Sequence, residues 1–254
     1  MLKIEQRDFI RFLSLASLSV GAMALTPGAY AAPVPIAGIS TLQDLINTGH
    51  SGITIGDKQY YDFAYSGSPM ATGTPPPVNP APTAAQIAVL QPDAAVQGFR
   101  FLYPWSSSTT TNNQDSLISY SVHVINTSPQ DFIGSVGLDF SATAVGGALD
   151  NSTVSEKVLT LDQTGTYGTL NVKEFGPGNV NNVDSMTFSL PGGIRDLRLI
   201  KDIQLHSSSS PTFQPGASSI AYVDNTFVSV PEPVSAGALS VGAGMLLVRR
   251  RKSL

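Results

Sequence analysis

Apolar and polar residues alternate one by one along most of the chain, and this pattern constrains the fold more than any other feature. Ile118, Tyr120 and Val122, for example, alternate with Ser119 and Ser121. Successive side chains of a strand point to opposite faces, so the pattern predicts strands with one face in a core and the other in solvent. Eleven strands are predicted, near residues 52–56, 59–66, 85–91, 96–103, 116–126, 131–145, 152–162, 168–175, 184–190, 197–207 and 218–229.

Strands at this spacing, separated by turns and without intervening helices, favour an all-β fold. We expect an antiparallel β-sandwich, jelly-roll-like in its connections, over residues 32–229. One short helix is predicted before the first strand. Thr41 and Asp44 have the spacing of a capping box, and Gly49 lies just past the predicted end of the helix.

Residues 66–83 contain six prolines and little else that favours regular structure. Proline lacks the backbone N–H that a central strand needs. The segment is therefore predicted to be a long surface loop with polyproline-like character.

The composition excludes several classes of site. The chain has no cysteine, so disulfides, thiolate zinc sites and cysteine nucleophiles are excluded. Residues 32–229 carry seven basic and fifteen acidic side chains, and this acidity argues against a nucleic-acid partner. With 42% apolar residues, the chain has enough material for a hydrophobic core.

Residues 1–31 have the order of parts of a secretory signal peptide. Three basic residues precede an apolar run from Phe12 to Leu25, which predicts a signal helix. Ala29 and Ala31 then supply small side chains at the positions that signal peptidase reads. Cleavage is expected before Ala32.

The last 25 residues, 230–254, form a second segment with three parts. Val230, Pro231, Glu232 and Pro233 come first, followed by fifteen uncharged residues that predict a hydrophobic helix of about 22 Å. A basic cluster, which the positive-inside effect would hold on the cytoplasmic side, ends the segment. Its members are Arg249, Arg250, Arg251 and Lys252.

This order resembles the PEP-CTERM sorting signal of Gram-negative bacteria. The resemblance implies that an exosortase-like membrane protease recognises Pro231, Glu232, Pro233 and the basic cluster as elements of its substrate. The segment from Leu42 to Phe63 also resembles the opening of many uncharacterised PEP-CTERM proteins. That second likeness implies no particular chemistry.

The residue types needed for catalysis are present but scattered. His50, His123 and His206 have no metal-ligand spacing, and no Gly-x-Ser-x-Gly motif accompanies them. His123 shares a polar strand face, so it is expected to point to solvent. Carboxylate pairs of the glycosidase type occur, but we interpret them as solvated charges, and no catalytic residue is assigned. These pairs are Asp57 with Asp62 and Glu156 with Asp162.

Metal binding is limited to one hypothesis. Oxygen ligands suited to calcium cluster at residues 112–115, 150–151 and 179–184, without the spacing of an EF-hand. Asparagine and aspartate are also common turn residues, which is the alternative reading of all three clusters. No cofactor is otherwise expected.

Phe99, Phe101, Tyr103 and Trp105 form an aromatic run of one parity. Phe99 and Phe101 are expected in the core. Tyr103 and Trp105 could either continue the core stripe or form a platform that stacks on a sugar ring. Pro104 and the polar residues that follow favour a partly exposed Trp105.

Together these features predict a non-enzymatic exported protein of the cell envelope or extracellular matrix. The expected route is an inner-membrane-anchored precursor that is then released to the outer envelope or the exterior. The alternative is a β-sandwich that binds carbohydrate such as exopolysaccharide, with calcium as a candidate aid. A hydrolase is the third hypothesis.

Overall fold

The structure is a computed structural model that describes residues 32–70, 81–108, 113–125, 131–145, 150–177, 182–192, 194–207 and 216–231. The predicted signal peptide, the residues from Glu232 onward and the centre of the proline-rich segment lie outside these ranges. Within them, no helix is long and apolar enough to cross a membrane.

The predicted helix is α1, Leu42–Asn47. Its N-terminus has the expected capping box: Asp44 N donates to Thr41 Oγ1, and the Asp44 carboxylate accepts from Thr41 N at 2.8 Å. Leu42 and Leu45 are fully buried, so this short helix adds a small apolar face to the core. Single-turn 3-10 helices follow at Gly49–Ser51 and Ala84–Gln86.

The described residues form eleven strands, one at each predicted position. They are β1 (Ile53–Ile55), β2 (Lys58–Met70), β3 (Ala88–Leu90), β4 (Gln97–Ser108), β5 (Asn113–Val124), β6 (Asp131–Val145), β7 (Asn151–Leu159), β8 (Thr166–Phe175), β9 (Ser185–Ser189), β10 (Asp196–His206) and β11 (Ala217–Pro231).

Two sheets result, and every strand pair in them is antiparallel. The six-stranded sheet has the order β1-β2-β5-β10-β7-β8, and the five-stranded sheet has the order β3-β4-β11-β6-β9. Most neighbours are distant in sequence, so the chain crosses between the sheets several times. The prediction of an all-β antiparallel sandwich is confirmed.

The core lies between the inner faces of the two sheets. Burial alternates along β10, where Leu197, Leu199 and Ile203 are fully buried, as the sequence pattern predicts. An aromatic cluster fills one part of the core. Phe99 and Tyr120 contact each other, and each contacts both Tyr60 and Phe63. The ring centroids of these pairs lie 4.8–6.4 Å apart, mostly in edge-to-face arrangements.

The proline-rich segment begins later than predicted. β2 continues to Met70, so residues 66–70 are strand, and Pro69 pairs with Gln114 of β5. β1 covers only Lys58–Tyr60 on the other side of β2. Pro69 therefore lies where β2 is an edge strand, the kind of strand in which a sheet tolerates proline.

β11 is a central strand, paired with β4 on one side and β6 on the other. Val230 pairs with Phe132 and Pro231 with Asp131. The first two residues of the predicted sorting segment therefore belong to the sheet, and the sandwich extends two residues beyond position 229.

Candidate functional site

The expectation that Trp105 reaches the surface is wrong. Trp105 is fully buried, and its indole N–H donates to Ser116 Oγ at 3.3 Å. Pro104 does not turn the chain out of the sheet, because the register between β4 and β11 shifts at this point and absorbs it. Trp105 then re-enters the core and cannot stack on a sugar in this fold.

Tyr103 is half-buried and contacts Trp105 edge to face, with ring centroids 5.5 Å apart. It packs on the border of the core, so part of its ring remains accessible. Phe99 and Phe101 are fully buried, as predicted.

The three histidines lie in different places. His50 is exposed and its Nδ1 lies 3.1 Å from the carboxylate of Asp62. His123 is partly exposed on the outer face of β5, as predicted, with Nδ1 2.7 Å from Asp196 Oδ1. His206 is the last residue of β10.

The members of each predicted carboxylate pair bind different partners in the structure. Asp57, Asp62 and Asp162 each bind a nearby partner at the surface or near it. Glu156 is different: the expectation that it is solvated is wrong, because it is fully buried. Its position in β7 has the inward parity of Val154 and Val158, and burial follows from that parity.

Glu156 belongs to a buried polar group that we call the core tetrad, formed with Lys201, Asn225 and Tyr120. Sequence reasoning missed it, although the signal was present. Lys201 occupies an inward position in the stripe of β10, as Glu156 does in β7, and a charged residue at an apolar position needs a partner.

The residues proposed for calcium come together only in part. Gly176 N donates to Asp150 O at 2.9 Å, and Phe175 N donates to Asn182 Oδ1 at 2.9 Å, so both loops meet the end of β8. Among the described residues, no three His, Asp or Glu side chains are grouped closely enough to hold a metal ion.

A polar row crosses the outer face of the five-stranded sheet. Arg100 of β4 and Asp139 of β6 flank Asp224 of β11 in register. Arg100 binds Asp224 with two hydrogen bonds, of 2.7 and 2.6 Å, and its guanidinium carbon lies 3.9 Å from the ring centroid of Tyr222. Burial and the charge of Asp224 raise the pKa of Asp139 to about 6. Asp139 can therefore take up or release a proton in mildly acidic solution.

An open groove of about 680 Å³ lies beside the β7–β8 turn and the start of β10. Asp162, Tyr167, Arg195 and Asp196 are among its lining residues, so carboxylates, a guanidinium group and an aromatic ring face one depression. Asp162 is held by Thr160 and Thr164, whose hydrogen bonds lower its pKa.

The junction with the sorting segment is held by a buried lysine. Lys58 is fully buried and donates to Asp57 Oδ1 at 2.9 Å, to Gln97 Oε1 at 2.6 Å and to Ser229 Oγ. Ser229 in turn donates to Asp57 at 2.9 Å. This Lys58 cluster ties the end of β11 to the β1–β2 hairpin, one residue before Val230.

Of the sorting motif, Val230 and Pro231 are described, whereas Glu232, Pro233 and the basic cluster are outside the described residues.

The sequence matches no protein-family model and no curated protein. Among solved structures, the enzymatically active domain of tailspike protein 4 from Bacteriophage CBA120 aligns with 68% of this chain at 12% identity and a TM-score of 0.26. The Trichoderma harzianum endoglucanase 3 of family GH12 aligns with 66% of it at 10% identity and a TM-score of 0.22, over 98% of the enzyme. The alignment covers 19% of the tailspike chain. Likenesses at this level do not place the chain in a family.

Proposed function

We propose that this protein is an exported, non-enzymatic, jelly-roll-like β-sandwich of the cell envelope or extracellular matrix. A signal peptide cut before Ala32 would start its export, and an exosortase-like protease would process residues 230–254. The proposal depends chiefly on the PEP-CTERM resemblance of that terminal segment.

One structural observation supports this arrangement. The described part of β11 runs to Pro231 and belongs to a two-sheet domain with its own core. The residues needed for sorting therefore begin at the end of the last strand that the structure describes. A protease at the membrane surface would meet the motif directly beside a folded domain, with no linker between them.

The test is a fusion of residues 230–254 to an exported reporter, in hosts with and without an exosortase. With the enzyme, we expect the tail to be removed and the reporter released or attached to the envelope. Without it, the full-length fusion should stay in the inner membrane. Replacing Pro231, Glu232 and Pro233 with alanine should cause the same retention.

A matched control replaces Ser235, Gly237 and Leu239 with alanine, outside the motif. Processing of this control should continue. Unchanged processing of the motif variant would show that Pro231, Glu232 and Pro233 are not the recognition element, and the proposal would fail.

Carbohydrate binding is the second candidate, and the groove at the β7–β8 turn favours it. Sugar sites commonly combine an aromatic surface with carboxylates and guanidinium groups, and Tyr167 lies beside Asp162 and Arg195 there. A glycan array of the exported protein, with and without calcium, tests this candidate. Tyr167→Ala should abolish any signal and Tyr103→Ala should leave it intact; equal binding by both variants would exclude the groove.

A further inference from the structure

The core tetrad connects the two sheets through the middle of the sandwich. Glu156, Lys201 and Tyr120 belong to β7, β10 and β5 of the six-stranded sheet, and Asn225 belongs to β11 of the five-stranded sheet. All four side chains are fully buried. Bulk solvent therefore does not reach these side chains.

The carboxylate of Glu156 holds an amine and an amide at once. Lys201 Nζ lies 2.5 Å from Oε2, and Asn225 Nδ2 lies 2.8 Å from Oε1. The two nitrogens are thus bound to the two oxygens of one carboxylate. Such an arrangement lets a single group accept a proton from one nitrogen and return it to the other.

The oxygen of the Asn225 side-chain amide accepts a hydrogen bond. The Tyr120 hydroxyl donates to Asn225 Oδ1 at 3.0 Å. Burial raises the pKa of Tyr120 well above its usual value, so the hydroxyl keeps its proton. A donor at this oxygen stabilises negative charge that develops there when the amide carbon is attacked.

Lys201 is poorly placed to remain an ammonium ion. Among the described residues, Glu156 is its one hydrogen-bond partner, although an ammonium carries three donors. Burial lowers the pKa of Lys201, against the opposing charge of Glu156. A buried charge with unused donors is costly, whereas a neutral amine has a lone pair that can act as a nucleophile.

We propose that Lys201 and Asn225 form an intramolecular isopeptide bond, with Glu156 as the proton carrier and Tyr120 as the oxyanion donor. This inference is independent of the sorting proposal. It gives a chain without cysteine a covalent link between its two sheets.

The reaction needs no oxidant or cofactor. Lys201 first passes one proton to Glu156, and the lone pair of Nζ then bonds to Cγ of Asn225 while the C=O electrons move onto Oδ1. Glu156 relays a proton from the attacking nitrogen to Nδ2. The Cγ–Nδ2 bond breaks, the carbonyl re-forms and ammonia leaves. The products are one amide, one ammonia and a neutral Glu156, so the two buried charges disappear.

Intact mass spectrometry of the purified full chain tests the bond. The protein should be about 17 Da lighter than its termini predict, because one ammonia is lost. Trypsin should fail to cut after Lys201, because an acylated lysine is not a substrate. A protease that cuts before Asp202 and Asp224 should leave the Lys201 peptide joined to the Asn225 peptide.

Two variants test the roles of Lys201 and Tyr120 separately. Lys201→Arg keeps a cation beside Glu156 but removes the nucleophile, so the mass loss should vanish. Tyr120→Phe keeps the buried ring and should slow bond formation roughly 10²-fold, as loss of one oxyanion donor does. A time course of cell-free synthesis measures this rate.

Tyr60→Phe is the matched control, since Tyr60 is equally buried and its hydroxyl has no partner among the described residues. It should form the bond at the wild-type rate. Wild-type protein that unfolds cooperatively, has the full mass and is cut completely after Lys201 would overturn the proposal. Equal rates for Tyr120→Phe and Tyr60→Phe would remove Tyr120 from it.

Discussion

Asp202 lies on the outer face of the six-stranded sheet, where its surroundings raise the pKa of its carboxyl group. Burial, together with a hydrogen bond and the charge of Asp115, raises the pKa of Asp202 to about 6. Gln204 and Lys157 act in the opposite direction. The folded protein therefore binds this proton more tightly than the unfolded chain does.

This difference predicts a pH dependence of stability. As pH rises from about 4 to about 6, the unfolded chain loses the proton first, so the free energy of unfolding should fall over that window. The Asp202→Asn substitution should remove this fall. Above pH 6, the free energy of unfolding of the variant should exceed that of the wild type by roughly 1 kcal/mol, a figure that allows for solvent screening at this half-exposed position. Urea unfolding at several pH values measures it.

The pKa of Asp139 lies in the same range, so Asp139 also contributes to the pH dependence of the wild type. The contribution of Asp202 is therefore read from the difference in free energy of unfolding between the wild type and Asp202→Asn at each pH. Asp62→Asn serves as the control on the same sheet, because Asp62 faces His50 rather than another carboxyl group. If this difference in free energy of unfolding does not change with pH, the pH dependence does not come from Asp202.

Trp105 gives a second prediction at this scale. Trp105→Ala should lower the free energy of unfolding by roughly 3–5 kcal/mol, since it empties a large, fully buried site. Tyr103→Ala should cost clearly less, because Tyr103 is only half-buried. Equal losses in urea unfolding would contradict the burial of Trp105.

At the scale of elements, the backbones of β4 and β11 approach each other closely at Gly98. Gly98 has φ +148°, and a Cβ added there would lie 1.9 Å from the carbonyl oxygen of Asn225. Because that oxygen belongs to the backbone of a central strand, it cannot move aside without breaking the pairing of β11. Only glycine therefore fits at this position.

Gly98→Ala should accordingly destabilise the domain by roughly 2 kcal/mol or more, through strain and loss of β4–β11 pairing. Gly192→Ala is the matched control, since a Cβ there meets nothing within 4 Å. Thermal unfolding of both variants measures the contrast. A Gly98→Ala protein with the wild-type melting temperature would show that β4 and β11 do not approach so closely.

The elements themselves could be predicted from the sequence because their signals are local. The Thr41–Asp44 cap and the period-two stripes depend on spacing alone, and they predict α1 and each strand of the described residues. The end of β2 could not be predicted, because Pro69 is tolerated only where β1 stops covering β2. That condition depends on pairing between segments, which local spacing does not contain.

For the whole molecule, alternation was sufficient to predict a sandwich but not its interior chemistry. Glu156 is interpreted from the sequence as a solvated carboxylate and Lys201 is given no role, although each stands at an inward position of its strand. Their partner Asn225 comes from the opposite sheet, and only the pairing of distant strands brings it to Glu156. The burial of Trp105 was missed for a similar reason, since it depends on a register shift against β11.

The central position of β11 has a mechanical consequence. Any tension on the residues after Pro231 is transmitted along the axis of a strand that is hydrogen-bonded to β4 and β6 over most of its length. Pulling along such a strand loads its bonds in shear, so many must rupture together, whereas an edge strand pulled sideways would unzip one bond at a time. The sandwich should therefore resist extraction by its tail better than by β1, and a force applied at that end would reach the Lys58 cluster first.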